Sequence, residues 1–446
     1  MLFCLGVHFQ TNKNQSVQEY ILTSDPMHLD YILLFSVGLL LFFMLLYFFA
    51  YLDARGRKDP KPKKYPGISI IVPIWNEEDT IKETLGCLVN IKKKYAGDFE
   101  VIVVDDNSTD NSYSLTKELA NKYKFIKLVT KKGKKGKAES FNEATKIAKY
   151  ELVACVDADA FPEEKSLEYI VGYFADEKVG AVTTKMVVKD PKKLVEWFQH
   201  IEYLFSNFLL SAYGHLESIY VTKGPLSVYR KRVLKKIGGF KGIDITPTED
   251  MEITFRIRKA GYTIKNSIDA KVSTRVMPTW KKLFWQRVRW NRGSLINFTK
   301  HRDMMFDRQY GFFSMVMMPI ITITISMLAI VIYYLIFNLI NILVNFFVKM
   351  YWYAYLKIIP NPFIALQRYF EINFAYVVSY LIVIIAFAGL VWIITYAVGF
   401  YESKEKLKIK HIIILILTPI IYTPAQIIFW VSAIILQLTK YKSRWR

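Results

Sequence analysis

Residues 151–159 read Glu-Leu-Val-Ala-Cys-Val-Asp-Ala-Asp. An apolar run of strand length, Glu151–Val156, stops at two carboxylates on alternate residues, Asp157 and Asp159. A near-continuous apolar strand suits a sheet covered on both faces. Two carboxylates so spaced can share a hard divalent cation that bridges a diphosphate. Taken alone, the motif fits a capped turn equally well. Its surroundings favour a site. Ile68–Ile74, Phe99–Asp105 and Phe125–Val129 also read as short β-branched strands. Helical spacing separates them over Glu78–Asn90, Asn111–Lys122 and Ala138–Lys149. Strands alternating with helices predict βαβ units and a parallel sheet. Ligands of such sheets sit beyond the carboxyl ends of the strands. Three polar clusters fall there: Pro73-Ile74-Trp75-Asn76-Glu77-Glu78, Asp105-Asp106-Asn107-Ser108 and Asp157-Ala158-Asp159.

Further candidates lie downstream. Of Asp105 and Asp106, one suits an Asx-turn or helix cap and the other a base or ribose. Lys131, Lys132, Lys134, Lys135 and Lys137 form a basic loop with Gly133 and Gly136. Most of these lysines read as solvated, with Lys137 as the exception. Thr248-Glu249-Asp250 precedes a helical stretch, Met251–Ala260. Asp250 there is either a carboxylate favoured by the helix dipole or a general base for an acceptor hydroxyl. Gln286-Arg287-Val288-Arg289-Trp290 lies in a stretch dense in Trp and cations. It reads as a helix at a membrane interface, cations outward. Trp290 is also suited to stacking on a sugar and Arg289 to a phosphate.

Hydrophobic residues make up 52% of the 446-residue chain. Four uncharged runs exceed the roughly 20 residues that span a bilayer: Tyr31–Leu52, Phe312–Val348, Ile372–Tyr401 and Ile412–Thr439. The first follows Lys13, Glu19, Asp25 and Asp30, unlike a cleavable signal, and reads as a permanent anchor. Arg55, Arg57, Lys58, Lys61, Lys63 and Lys64 follow it, so residues 53–311 are expected in the cytoplasm. Four spans would put the basic tail outside. Splitting the Phe312 run, or making Trp352–Phe370 interfacial, restores the parity. The net charge of +21 points to lipid headgroups or phosphates, and the spans argue against nucleic acid. Cys4, Cys87 and Cys155 show no paired spacing and suggest neither disulfide nor metal.

The ordered motifs resemble the membrane-integrated branch of glycosyltransferase family 2, which includes cellulose, hyaluronan, chitin and poly-N-acetylglucosamine synthases. Pro73-Ile74-Trp75-Asn76-Glu77, Asp106, Asp157/Asp159, Thr248-Glu249-Asp250 and Gln286/Arg289/Trp290 match that pattern in order. Gly136-Lys137-Ala138 and Gly224–Phe240 also resemble it, and the likeness covers about residues 67–300. The resemblance implies an α/β fold: a GT-A type, Rossmann-like nucleotide-sugar domain inserted between transmembrane helices. It implies that Pro73, Trp75, Glu77 and Asp106 hold the uridine of a UDP-sugar. It places Lys137, Asp157 and Glu249 at the substrate, and Asp159 with Asp157 on Mg²⁺ or Mn²⁺. Asp250 would be the base of an inverting β-transfer. Gln286, Arg289 and Trp290 would clamp the acceptor end and the leaving diphosphate, while the later spans pass the polymer. Only one span precedes the domain where many relatives have two, no regulatory domain is apparent, and accessory subunits are left open. A lipid acceptor taking a single sugar, as in ceramide glucosyltransferases, is the alternative, and a catalytically silent partner a more distant one.

These readings divide the chain into an extracytoplasmic segment 1–30, an anchor 31–52, a linker 53–66 and a cytoplasmic transferase domain 67–275. Interface helices 276–311, a membrane region 312–439 of three or more spans and a basic tail 440–446 follow. The expected location is the cell membrane, multi-pass.

Overall fold

The computed structural model describes residues 27–131, 136–242, 245–327 and 393–439, with isolated positions 333, 337, 340, 343, 344, 347, 348, 389 and 441. The segment 1–26, the basic tail apart from Tyr441, the interfacial stretch Trp352–Phe370, Lys132, Lys134, Lys135 and about half of the two middle spans lie outside the described residues. The chain divides into two units: Met1–Phe42 with Ser326–Ile384, and Phe43–Ile325 with Ile385–Arg446. In the first, described residues are helical, and Tyr333 and Phe337 stack with centroids 6.0 Å apart. The second unit, Phe43–Ile325 with Ile385–Arg446, holds the sheet.

Its centre is an eight-stranded sheet in the order β3-β2-β1-β4-β7-β6-β8-β5. The strands are β1 (Ile68–Ile74), β2 (Phe99–Asp105), β3 (Ile126–Thr130), β4 (Leu152–Cys155), β5 (Ala160–Pro162), β6 (Val179–Val188), β7 (Ser227–Arg230) and β8 (Thr263–Thr274). β3, β2, β1 and β4 are parallel. The expectation of a wholly parallel sheet does not hold beyond this half, where only β6 and β8 pair in parallel. β7 runs antiparallel to both β4 and β6, and β5 antiparallel to β8. The second half was hidden because β5 and β7 are 3 and 4 residues long. β8 alternates buried and half-buried positions in place of an apolar run.

α1 (Met27–Ala54) precedes the sheet, and α2 (Ile81–Lys94), α3 (Ser112–Lys122) and α4 (Lys137–Ile147) connect its parallel strands. Side-chain alternation in β1 decides what each face covers. Ile70 and Val72 pack with Ile81, Leu85 and Leu88 of α2. Ile71 packs on the other face with Phe141 and Ala144 of α4. Each such side chain, fully buried, contributes about 1.5–3 kcal/mol. The chain order reverses between β1 and β4, so the carboxyl ends of β1, β2 and β4 open on a switch-point crevice.

α5 (Leu194–His215), α6 (Glu249–Lys259) and α7 (Trp280–Lys300) complete the domain. Thr279 caps α7, its Oγ1 accepting the Lys282 N–H at 3.3 Å. α8 (Ile409–Leu438), with a π-helical turn at Thr418–Tyr422, is the one helix among the described residues long and apolar enough to cross a membrane. Gly38–Ala54 and Phe313–Met327 are shorter apolar helices. Ile409, Ile420, Ile428 and Leu438 of α8 are exposed, which is not how a soluble core helix is arranged. A third core joins α5 to α7 and α8 through Phe198, Leu204, Leu283, Val288, Tyr422 and Phe429.

Candidate active site

β1 and β2 end in two loops stitched to each other. Asn76 and Asn107 hold left-handed φ of 56° and 67°, a conformation Asn tolerates. The Asn76 Oδ1 accepts the Thr109 N–H at 2.8 Å, and the Glu77 N–H donates to Ser112 Oγ at 2.7 Å. Thus Pro73 sits in β1, with half-buried Trp75 and Glu77 just beyond it. Asp105 makes the Asx-type turn, accepting the Ser108 N–H at 3.2 Å. Asp106 accepts the Gly136 N–H at 2.8 Å and pairs with Lys131 Nζ at 3.0 Å. Asp106 therefore ties down both ends of the basic loop. Lys131 was expected to be solvated, but its side chain is only 1% exposed. A buried ammonium needs such a partner.

Lys137 opens α4 and aims its ammonium at the end of β4. Its Nζ lies 2.7 Å from Asp157 Oδ1 and 3.2 Å from Glu249 Oε1. One cation thereby joins the Asp-x-Asp turn to the start of α6, residues far apart in sequence. Burial would lower its pKa, but Asp157, Glu249 and Asp250 outweigh that and hold it above the ordinary lysine range. Glu249 is held below its usual range: burial opposes this, and Lys137 and Arg289 overcome it. Asp250 is pushed up to about 6 by burial and by the Glu249 charge, with Lys137 and Arg289 pulling the other way. Its Oδ1 accepts the Met251 N–H at 2.8 Å. Asp159 is pushed up to about 7 by burial, then by Asp157 and Glu77.

Glu77, Asp157 and Asp159 thus gather negative charge that Lys137 offsets only in part. Oxygen donors alone, in charge excess, fit a hard divalent cation.

Two glycines make the approach close. A Cβ on Gly224 would stand 3.0 Å from Asp157 Oδ2 and 3.1 Å from Lys137 Nζ. On Gly293 of α7 it would stand 2.2 Å from Thr248 Oγ1. Arg289 Nη1 donates to the Pro247 carbonyl at 2.9 Å, so α7 braces the Thr248–Asp250 turn at two points. Gly293→Ala is therefore expected to cost about 1–3 kcal/mol through overpacking. It should lower the thermal unfolding midpoint and reduce turnover; an unchanged midpoint would remove this contact from the account.

The Gln-x-x-Arg-Trp segment is not arranged as expected in one respect. Arg287, read from sequence as an outward cation, is 2% exposed. Its guanidinium pairs with Glu202 at 2.6 Å, donates to Gln286 Oε1 at 2.9 Å and lies 4.2 Å from the Trp290 ring centroid. Glu202 also accepts the Tyr422 hydroxyl of α8 at 2.6 Å. Gln286 and Trp290 are thus held by Arg287 and not by the carboxylates around Lys137. The sequence signal for Arg287 was its position between the two, masked by the cations on either side.

The chain has known relatives. A probable glycosyltransferase of Bacillus subtilis (strain 168), YdaM, is 32% identical over 310 residues, covering 63% of this chain and 73% of that protein. The chain belongs to glycosyl transferase family 2. The family model matches residues 69–238, from β1 to the segment after β7. The poly-beta-1,6-N-acetyl-D-glucosamine synthase of Staphylococcus aureus (strain MW2) is 28% identical over 254 residues, 56% of this chain and 60% of that one. The mannosyltransferase PcManGT from Pyrobaculum calidifontis, solved with GDP-Man and Mn²⁺, superposes with a TM-score of 0.54 at 23% identity. It covers 84% of this chain and 100% of its own, and supports the GT-A fold. As a family 2 member the protein is an enzyme, a hexosyltransferase, as the motifs led one to expect.

Proposed function

We propose that this protein is a membrane-bound, inverting β-glycosyltransferase that moves sugar from a UDP-sugar, of the UDP-GlcNAc or UDP-Glc type, to the end of a growing polysaccharide and passes the product across the membrane. The observation that carries the reading is the single ammonium of Lys137 bridging Asp157 and Glu249, with Asp250 beside it. Donor-side and acceptor-side carboxylates meet there. The loops after β1 and β2 hold the nucleotide, with Pro73, Trp75, Glu77 and Asp106 around it. Lys137 meets the diphosphate. Asp159 and Asp157 would hold Mg²⁺ or Mn²⁺, which supplies charge neutralisation to the leaving diphosphate. Asp250 takes the proton of the acceptor hydroxyl as that oxygen attacks the anomeric carbon from the face opposite the nucleotide. The Asp250 proton then leaves to solvent. Arg289 and Trp290, braced by Pro247 and Arg287, hold the acceptor end and keep it oriented.

Exposed apolar side chains on α8 support a membrane location. The Lys and Arg residues at 55–64, just after the first span, favour a cytoplasmic catalytic domain.

The raised Asp250 pKa fixes the pH dependence. The base is active when ionised, so kcat/KM should fall as pH drops through about 6. The folded state holds this proton more tightly than the unfolded chain, so Asp250's contribution to stability declines as pH rises from the ordinary Asp value through about 6. A pH–rate profile flat through that region would contradict the assignment. A panel of UDP-sugars with purified full-length protein tests the donor class: UDP release with one of them, and a β-linked product by NMR, is expected. An α-linked product would overturn the inverting mechanism.

A further inference from the structure

A cavity of about 230 Å³ lies where α1 ends, and none of the proposed catalytic residues lines it. Arg55, Lys58 and Lys265 line it, together with His215 at the end of α5. Its one carboxylate, Glu402, is already held by Lys185, the Tyr51 hydroxyl at 3.0 Å and Ser211 Oγ at 3.1 Å. Lys265 pairs with Glu217, and His215 Nε2 with Asp53 at 2.7 Å. The Arg55 and Lys58 side chains form no ion pair among the described residues. His215 Nδ1 is buried without a hydrogen-bond partner. The lining therefore carries spare positive charge and an unused polar atom. The Asp59 carboxylate behind it is filled by the Tyr173 hydroxyl and the Ile268 N–H, each at 2.7 Å, and exposed apolar side chains stand alongside. Phe49 and Leu52 of α1 are 63% and 42% exposed, and Tyr401, whose ring sits 5.2 Å from the Arg55 guanidinium, is 61% exposed. Tyr401 lies in the last turn of a second helix, 393–403, and the bond from Tyr51 to its neighbour Glu402 brings the ends of the two helices together.

We propose that this cavity binds the phosphodiester headgroup of an anionic phospholipid of the cytoplasmic leaflet, its acyl chains lying along Phe49 and Leu52. The inference rests on the membrane reading above. Spare cations match a phosphate, and exposed apolar side chains beside them match an amphiphile rather than a soluble anion. The position, just past the end of the anchor helix, is where headgroups lie.

The test uses the full-length protein in detergent, titrated with phosphatidylglycerol or phosphatidylcholine and read by native mass spectrometry. Wild type should retain one phosphatidylglycerol in preference to phosphatidylcholine. Each basic group near a lipid surface is worth about fivefold, so the double variant R55Q/K58Q should weaken retention roughly 25-fold. R55K/K58R should restore it. Neither residue touches the sugar-transfer site, so UDP release in detergent without added lipid should be the same for all three. Equal retention of both lipids, or no change in R55Q/K58Q, would overturn the proposal. So would displacement by equimolar soluble glycerol 3-phosphate, which would assign the cavity to a free phosphate compound. Failure of the wild type to float with liposomes would instead contradict the membrane reading itself.

Discussion

Asp250→Asn should leave donor binding intact and reduce kcat by about 10²- to 10⁴-fold, the range for loss of a general base. The substitution keeps the shape of the side chain and its bond from the Met251 N–H. It removes the one oxygen able to take a proton from the acceptor. It also removes a negative charge beside Glu249 and Lys137, so the Lys137–Asp157 contact should persist or tighten. UDP-sugar affinity by calorimetry, measured beside turnover, separates the two effects. Loss of donor affinity equal to the loss of turnover would mean that Asp250 belongs to the donor site. The residual activity of Asp250→Asn should also lose the pH dependence near 6.

Asp159→Asn is expected to be of similar size for a different reason. The carboxyl is already raised to about 7 by burial and by Asp157 and Glu77, and a bound divalent cation would relieve that repulsion. Losing metal assistance to a diphosphate leaving group costs several kcal/mol, or about 10³-fold in kcat. Wild-type protein treated with EDTA should fall to the level of Asp159→Asn and recover with Mn²⁺, whereas the variant should not recover. Mn²⁺ binding by calorimetry should weaken in the variant. Transfer that survives EDTA undiminished would remove the metal from the account.

The parallel half of the sheet was legible because physics writes it plainly. Strands buried on both faces have few polar positions, and Ile68–Ile74 and Phe99–Asp105 fall at the same boundaries in structure and sequence. Helix starts were off by up to three residues, as with Ile81, because Asp79 and Thr80 belong to the loop turn. The mixed half was not legible, since a strand as short as Ser227–Arg230 is defined by its neighbours rather than by its own pattern. The site residues stood out as carboxylates at strand ends, and one contact that joins them, Lys137 to Glu249, follows from tertiary packing alone. The burial of Lys131 and Arg287 was illegible for the same reason. A cation's partner, Asp106 in one case and Glu202 in the other, is remote in sequence, and local composition suggested a solvated face.

The central claim is that one site extends a polysaccharide from a UDP-sugar. Full-length protein in nanodiscs, supplied with Mg²⁺ and radiolabelled UDP-GlcNAc or UDP-Glc, tests it through product size. The account predicts UDP release in step with a long polymer that a β-specific glycosidase digests. UDP release accompanied only by a lipid carrying a single sugar would contradict it.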